Sequence, residues 1–272
     1  MQYKTIQGVS VPEIGLGTYQ LHGKKCEDAV RMALDIGYRH VDTAQMYQNE
    51  MEVGEALKNS PVDREDVFLT SKLWMNNLEY EDVLRTTEES LTKLQTPYLD
   101  LLLIHWPSDQ YSLQHTLEAM LLLRDQGKVS HIGVSNFPLS LLQEANEEIG
   151  APIFCNQVEY HPYLGQFDLL EYAIDEDIMI TAYGPLAEGH LENSKTLQRI
   201  GQKYDKTPNQ VGLRWLIEQE QVVAIPRASS RDRLEENIDI FDFELSDDDF
   251  DNIDNLDKSN RYNNPSFAPK WE

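Results

Sequence analysis

Short runs of apolar residues alternate along the chain with longer segments in which apolar positions recur every three or four residues. Residues 67–71 and Leu99–Ile104 are two of the short runs, which are typical of strands buried on both faces of a parallel sheet. Tyr80–Leu94 is the clearest longer segment, because its Val83 and Leu91 fall on one helical face. The pattern predicts strands that alternate with amphipathic helices.

The alternation resolves into an opening hairpin, eight strand–helix units, an extra helix and a tail. The hairpin strands are predicted at residues 3–6 and 9–11, and the unit strands at 14–18, 38–41, 67–71, 99–104, 129–134, 153–156, 178–182 and 222–225. Eight such units in about 250 residues match a closed parallel barrel. We therefore predict an α/β fold: a (β/α)8 TIM barrel with an N-terminal β-hairpin and an extra C-terminal helix and tail, in a single domain over residues 1–272.

A doubly wound sheet is the competing fold for this alternation. Its dinucleotide-binding fingerprint needs a third glycine after the first two. Gly15 and Gly17 lie in the first predicted strand, but Gln20 occupies the third position. The barrel is therefore favoured.

Composition changes the picture mainly through charge. Asp and Glu total 47 of the 272 residues against 23 Lys and Arg, a net charge of −24. A polyanion would repel such a chain, so nucleic-acid binding is disfavoured. Residues 235–257 contain no basic residue, and we interpret this run as a solvated helical face, with an interaction tail as the alternative.

Targeting signals and cysteine usage indicate the compartment. No apolar run follows the N-terminus, and no window approaches the ~18 apolar residues of a membrane span, so we expect neither a signal peptide nor membrane contact. Cys26 and Cys155 fall in a predicted helix and a predicted strand, which favours buried thiols over a disulfide scaffold. We expect a monomer in a reducing cytoplasm.

Four reactive side chains stand at or just after the ends of predicted strands, where the catalytic groups of a parallel barrel lie. They are Asp42, Tyr47, Lys72 and His105. A nearby ammonium favours a phenolate, so Lys72 would lower the pKa of Tyr47 below its ordinary ~10. Asp42 would hold Lys72, and His105 would orient a substrate oxygen. The set can protonate an oxygen during carbonyl reduction, and a nicotinamide cofactor is implied because no side chain donates hydride.

Other interpretations of these residues are weaker. Each residue alone admits a structural role, but four complementary groups at strand ends favour a shared site. No metal site is expected, because the 7 histidines and 2 cysteines show no His-x-x-x-His or Cys-x-x-Cys spacing. Serine hydrolysis is disfavoured because no Gly-x-Ser-x-Gly elbow occurs.

Short motifs extend this constellation along the whole chain. They are GLGT at 15–18, GYRHVDTA at 37–44, SKLW at 71–74, LIHWP at 103–107, GVSNF at 133–137, NQVEYHP at 156–162, AYGPL at 182–186, IPR at 225–227 and EN at 236–237. With these motifs the chain resembles the aldo-keto reductases from end to end, close to the short prokaryotic type that includes diketogluconate reductases.

The resemblance implies a reversible, NADPH-dependent reduction of a small-molecule aldehyde or ketone. Tyr47 would be the acid, and Asp42, Lys72 and His105 would complete a catalytic tetrad. The residues implied to bind NADPH/NADP+ are Gly17, Thr18, Asp42, Ser135, Asn136, Gln157, Tyr183, Gly184, Pro185, Leu186, Pro226, Arg227, Ser229, Ser230, Arg233, Glu236 and Asn237. Those implied to line the substrate pocket are Tyr19, Tyr47, Trp74, His105 and Trp106.

Two positions at the implied adenosine end depart from the family pattern. Arg227 stands where lysine is usual, and Ala228 where serine is usual. The positive charge for a phosphate is kept, while one hydroxyl contact is lost. An alternative role for the arginines in this region is pairing with acidic neighbours on the helix surface.

Several placements stay open. Trp106 and Tyr183 are each a site residue or a core aromatic, with Tyr183 stacking on the nicotinamide in the first case. The segment after His105 is short, which favours an open pocket. The tail at 261–271, rich in Pro and aromatic residues, either folds over the barrel mouth to contact substrate or packs as a terminal strap.

Two other function classes compete with the reductase. A nicotinamide-binding regulatory subunit with little turnover is the first, and the intact tetrad argues against it. A hydrolase or isomerase on the same barrel is the second, since fold does not fix function. The implied carboxamide contacts argue against that class.

The charge count predicts salt-dependent stability. A net charge of −24 implies self-repulsion in the folded state, and salt screens it with a Debye length near ~10 Å at 0.1 M. We expect the melting temperature to rise between low salt and molar NaCl. A flat or falling melting temperature over that range contradicts the prediction.

Overall fold

An antiparallel hairpin, β1 (Tyr3–Ile6) and β2 (Val9–Pro12), precedes eight parallel strands in the computed structural model, which describes residues 1–271. The eight strands are β3 (Leu16–Gly17), β4 (His40–Asp42), β5 (Phe68–Leu73), β6 (Leu99–Ile104), β7 (Val129–Ser135), β8 (Ile153–Glu159), β9 (Met179–Tyr183) and β10 (Val222–Ala224). Each strand pairs with the next along the chain.

Backbone hydrogen bonds join the last strand to the start of the first. Ile14 pairs in parallel with Ala224. The Gly15 amide donates to the Ala224 carbonyl at 2.8 Å, and the Ala224 amide donates to the Glu13 carbonyl at 2.9 Å. The sheet is therefore closed, and the predicted (β/α)8 barrel is confirmed.

Ten helices surround or extend the barrel in the described part of the chain. They are α1 (Gly23–Ile36), α2 (Glu50–Lys58), α3 (Tyr80–Leu94), α4 (Leu113–Asp125), α5 (Leu139–Gln143), α6 (Phe167–Asp175), α7 (Lys195–Tyr204), α8 (Pro208–Glu218), α9 (Arg231–Ile238) and α10 (Asp247–Asp254). The helical segment after β7 is α-helical only in α5 and continues as a π-helix over Glu144–Glu148. The extra C-terminal helix is α10.

Capping residues at the start of α8 explain why this helix begins at Pro208. The Gln210 amide donates to the Thr207 hydroxyl at 3.2 Å, and the Thr207 amide donates to the Gln210 side-chain oxygen at 2.9 Å. This reciprocal pair satisfies two of the amides that a helix start leaves without partners.

Among residues 1–271, none of the helices has the length and apolar character that a membrane crossing needs.

The hairpin closes one end of the barrel. Ile6 and Val11 from its two strands pack in one buried cluster with Phe68, Phe154 and Val223, which lie in the early part of barrel strands. A larger cluster fills the space between the strands and the surrounding helices. Because the N-terminal end is filled by apolar side chains, the polar strand ends meet at the other, C-terminal mouth.

Candidate active site

A cavity of about 600 Å³ opens at the C-terminal mouth of the barrel, within the usual range for small-molecule sites. Predicted site residues that line it are Gly17, Tyr19, Asp42, Tyr47, Trp74, His105, Trp106, Ser135, Asn136, Gln157, Tyr183, Gly184 and Arg227. The barrel thus brings together residues from all eight of its strands or the loops that follow them.

Lys72 lies fully buried beneath the cavity. Its ammonium donates to Asp42, to the Thr43 carbonyl at 2.9 Å and to the Tyr47 hydroxyl at 3.3 Å. These contacts use all three protons of the ammonium. Since the Tyr47 oxygen accepts from Lys72, its own proton remains available for a group in the cavity.

The ionisation of Tyr47 differs from the sequence-based expectation. Burial raises the pKa of the phenol well above its usual value, and the Asp42 carboxylate adds to the rise. Burial also lowers the pKa of Lys72, although Asp42 opposes that effect. The expected lowering of the Tyr47 pKa by Lys72 is therefore wrong for this cavity, because desolvation and the negative charge of Asp42 raise the pKa. The phenol stays protonated near neutral pH.

His105 follows β6 and forms one wall of the same pocket. Its ring meets those of Tyr47 and Trp74 edge to face, with centroids 5.5 and 5.3 Å away. Burial lowers the pKa of the imidazole well below its usual value, and the Lys72 charge acts in the same direction. Nδ1 is buried without a hydrogen-bond partner among residues 1–271. A neutral imidazole therefore faces the cavity with Nε2.

The ends of β7 and β8 hold a set of connected polar groups. The Ser135 hydroxyl donates to the Gln157 carbonyl at 2.8 Å, and the Asn136 amide group donates to the His105 carbonyl at 3.0 Å. Asn136 adopts a left-handed backbone with φ 61°, which asparagine tolerates better than most residues. The Gln157 side chain donates to the second Asp42 oxygen at 2.8 Å. This last bond was not predicted from the sequence.

Tyr183 stands beside this polar set. Its hydroxyl donates to the Asn136 side-chain oxygen at 2.7 Å, so one edge of the ring is fixed while the ring lines the cavity. Gly184 follows with φ 58°, a conformation that favours glycine. The placement of Tyr183 on the cavity wall favours the site role over the core role.

Other residues implied to bind cofactor lie outside the cavity. Thr18 is fully buried and its hydroxyl donates to the Asp42 carbonyl at 2.9 Å, so it supports the cavity from below. Pro185 and Leu186 follow Gly184. Pro226, Ser229 and Ser230 precede α9, Arg233 lies in its first turn, and Glu236 and Asn237 lie in its last turn. Pro226 and Asn237 are buried, whereas Ser230 and Arg233 are exposed.

The arginines near α9 are not equivalent. Arg231 pairs with Glu235 at 3.2 Å. Arg227 and Arg233 are exposed and make no ion pair within residues 1–271. The alternative of pairing with acidic neighbours thus applies to Arg231 alone, and two uncompensated cations remain beside the N-terminus of α9.

The tail folds over the barrel mouth. Phe267 packs edge to face against Trp74 and Trp106, with centroids 5.8 and 5.4 Å away. The Trp271 ring also packs edge to face against Trp106, with centroids 6.2 Å apart. Tyr262, Asn263, Pro265 and Phe267 join the cavity lining, so the tail forms part of the pocket wall.

Sequence reasoning missed Glu159 as a cavity residue. It lies two positions after Gln157 on β8, and residues two apart on a strand face the same side. That spacing within the NQVEYHP motif could have identified it.

Among residues 1–271, no group of three or more His, Cys, Asp or Glu is placed to hold a metal ion.

Comparisons with known proteins find relatives that match most of this chain. The model of the aldo/keto reductase family matches residues 13–258. Glyoxal reductase of Bacillus subtilis (strain 168) is 43% identical over 260 residues, covering 95% of this chain and 93% of that protein. Methylglyoxal reductase DkgB of Escherichia coli O157:H7 is 37% identical, covering 97% and 100%. A crystal structure provisionally named a 2,5-diketo-D-gluconic acid reductase B has a TM-score of 0.97 at 40% identity, covering 100% and 98%.

The buried ion pair generates a stability prediction. Lys72→Met leaves the Asp42 carboxylate buried without its cation, and breaking a buried pair in this way costs about 3–5 kcal/mol. We expect that loss in the free energy of unfolding measured in urea. The matched control, Asp42→Asn with Lys72→Met, leaves no uncompensated charge and should lose less. A single variant within about 1 kcal/mol of wild type, or a double variant less stable than the single one, contradicts the prediction.

Proposed function

This chain belongs to the aldo/keto reductase family, and from that premise we propose that it reduces aldehydes and ketones to alcohols with NADPH. The observation that carries the proposal is the hydrogen bond from Lys72 to the Tyr47 hydroxyl, at the base of a cavity that His105 also lines. The cavity can thus present the protonated phenol of Tyr47 and the neutral imidazole of His105 to one substrate oxygen. The reverse oxidation would use the same groups, with Tyr47 as the base.

The proton step follows from these contacts. The Tyr47 hydroxyl donates its proton to the carbonyl oxygen as that oxygen gains negative charge. Lys72, already bonded to the Tyr47 oxygen at 3.3 Å, stabilises the phenolate that results. Nε2 of His105 donates to the same substrate oxygen and orients the carbonyl. A bound reduced nicotinamide would supply the hydride.

The residues present fit a nicotinamide dinucleotide. Tyr183 offers a ring face beside Ser135, Asn136 and Gln157, whose mutual hydrogen bonds fix a polar surface for a carboxamide. Gly17 borders the cavity, and a Cβ there would approach the Ile225 carbonyl to 2.7 Å, so glycine is required at this position of the wall. These contacts support cofactor binding by the residues that the family resemblance implies.

NADPH is the proposed form of the cofactor. Its extra phosphate requires cations, and the planar guanidinium of arginine binds phosphate oxygens in pairs. Arg227 and Arg233, which make no ion pair with the rest of residues 1–271, lie near Ser229 and Ser230 in the chain, next to the amides that begin α9. A helix N-terminus adds a favourable dipole for an anion.

Small neutral carbonyls, including α-dicarbonyls, are the proposed substrates. The pocket beside Tyr47 is walled by Tyr19, Trp74, Trp106 and Phe267. Within the described residues, Arg227 is the only cation in the cavity lining, and it is proposed for the cofactor. A carboxylate substrate would therefore meet no free cation near the phenol. The names of the two reductases in the comparison, glyoxal reductase and methylglyoxal reductase, accord with neutral dicarbonyls.

Three narrower points stay predictions. They are the single domain over residues 1–272, of which Glu272 lies outside the described part, the monomeric state and the cytoplasmic location. Cys26 and Cys155 are both free and buried, and burial raises the pKa of each thiol to about 12. These properties agree with a reducing compartment.

The proton donor is tested by Tyr47→Phe. This change removes the hydroxyl and keeps the ring, so turnover of glyoxal should fall by the ~10²–10⁴ typical of a lost general acid. NADPH binding, measured by fluorescence, should survive because its proposed contacts lie elsewhere. Tyr111→Phe, which removes a phenol outside this cavity, serves as the control. A Tyr47→Phe variant that keeps a tenth or more of wild-type kcat would contradict the assignment of Tyr47 as the proton donor.

Cofactor choice is tested by replacing Arg227 and Arg233 together with Gln. Charged hydrogen bonds contribute roughly 1.5–3 kcal/mol each, so the KM for NADPH should rise about ten-fold or more. NADH kinetics should change little, because NADH lacks the phosphate. Arg231→Gln is the matched control, since Arg231 pairs with Glu235. A wild-type preference for NADH, or an unaltered NADPH KM in the double variant, overturns the argument.

A further inference from the structure

The buried carboxylate of Glu159 accepts three hydrogen bonds and has no role in the proposed proton transfer. Its carboxylate is 2% exposed and accepts from the backbone amides of Tyr262 at 2.7 Å and Asn263 at 2.8 Å. His161 supplies a third donor: its Nδ1 accepts from the Tyr163 amide at 3.2 Å, so Nε2 carries the proton and donates to Glu159 at 3.1 Å. Two of the three donors belong to the C-terminal tail.

The carboxylate is suited to hold these donors. Burial acts to raise the pKa of Glu159, but the hydrogen bonds from His161, Tyr262 and Asn263 outweigh burial and bring the pKa below its usual value. An ionised carboxylate makes stronger hydrogen bonds to amides than a neutral group does. Glu159 therefore binds the tail as an anion.

Few other polar contacts hold the tail. Within residues 262–271, the hydrogen bonds to the barrel are the two to Glu159 and one from the Asn263 side chain to the Tyr183 hydroxyl at 3.2 Å. The remaining ones, from the Trp271 ring to Asn264 and from Ala268 to Pro265, stay inside the tail. Upstream, the Asn260 amide donates to the Tyr163 carbonyl at 2.9 Å and the Gly165 amide to the Lys258 carbonyl at 3.1 Å. The attachment at residues 262–263 is therefore the last polar contact with the barrel before the chain reaches Phe267.

We infer that Glu159 is a positioning residue that sets the size of the carbonyl pocket by anchoring the tail. Phe267 lies four residues beyond Asn263 and reaches the pocket between Trp74 and Trp106. It is 41% exposed, so its aromatic contacts alone cover it only in part. With the anchor in place, Phe267 completes an aromatic wall for substrates that extend beyond the reacting carbonyl.

The effect on substrates rests on the proposed reductase function, whereas the anchor itself does not. Glyoxal carries no group beyond its two carbonyls, so we expect its reduction to depend little on the part of the wall that Phe267 forms. Aromatic aldehydes contact the tail wall. Glu159 therefore controls selectivity between carbonyls of different size.

The test begins with Glu159→Gln, which keeps the side-chain shape and replaces one acceptor with an NH₂ group. Hydrogen exchange at the amides of Tyr262 and Asn263 should accelerate about ten-fold or more. The KM for benzaldehyde should rise about ten-fold, while kcat and KM for glyoxal stay within about three-fold. Glu171→Gln, which removes the same charge from the exposed face of α6, should change none of these values.

A double variant separates the anchor from a general effect on folding. If Glu159 acts through Phe267, Glu159→Gln should change benzaldehyde KM less than about two-fold in a Phe267→Ala background. If the KM increases caused by Glu159→Gln and Phe267→Ala multiply in the double variant, the two residues act independently and the inference is overturned. Unchanged amide exchange in Glu159→Gln overturns it as well. Should that variant fail to fold, Asn263→Pro removes the tail amide that Glu159 binds, together with the side-chain bond to Tyr183. The same exchange change at Tyr262 and the same KM change are then expected relative to Asn263→Ala, which removes only the side-chain bond. If wild type reduces no carbonyl, the proposed function fails, and amide exchange still decides whether the anchor exists.

Discussion

The buried ion pair between Asp42 and Lys72 is the interaction on which the mouth of the barrel depends. Two charges removed from water are stabilised only when their remaining hydrogen-bonding groups find partners. Gln157 occupies the second Asp42 oxygen, and the Thr43 carbonyl and Tyr47 hydroxyl take the other Lys72 protons. The pair thereby joins β4, β5 and β8 at the centre of the mouth. The same ammonium that completes this core contact also orients the phenol.

Local sequence pattern was sufficient for the barrel, because periodicity along a segment reports how that segment is buried. It was also sufficient to bring Asp42, Lys72 and His105 to one mouth, since parallel strands end on the same side. The local sequence pattern could not predict the contact between Glu159 and the tail. Its partner Tyr262 is 103 residues away and donates a backbone amide, which every residue except proline carries. The prediction that the Tyr47 pKa is lowered was wrong because that pKa depends on desolvation, which the order of residues does not show.

Barrel and tail divide the proposed work between them. The hairpin fills one end with apolar side chains, so the reacting groups at the other end lie on rigid strands. The tail has no regular strand or helix over residues 262–271 and is held by few polar contacts, yet it supplies part of the pocket wall. Charge follows a similar division: in a chain with a net charge of −24, Arg227 and Arg233 keep positive charge where a phosphate is proposed to bind.

Direct hydride transfer is the central claim, and isotopic labelling tests it most directly. Wild-type protein would be incubated with glyoxal and NADPH carrying deuterium at the transferable C4 position. The account predicts glycolaldehyde with one deuterium on the former carbonyl carbon, formed in equal amount to the oxidised cofactor, because the proposed reaction takes its hydride from the nicotinamide and its proton from Tyr47. Product without deuterium, or no loss of reduced nicotinamide absorbance with any neutral carbonyl, would contradict it.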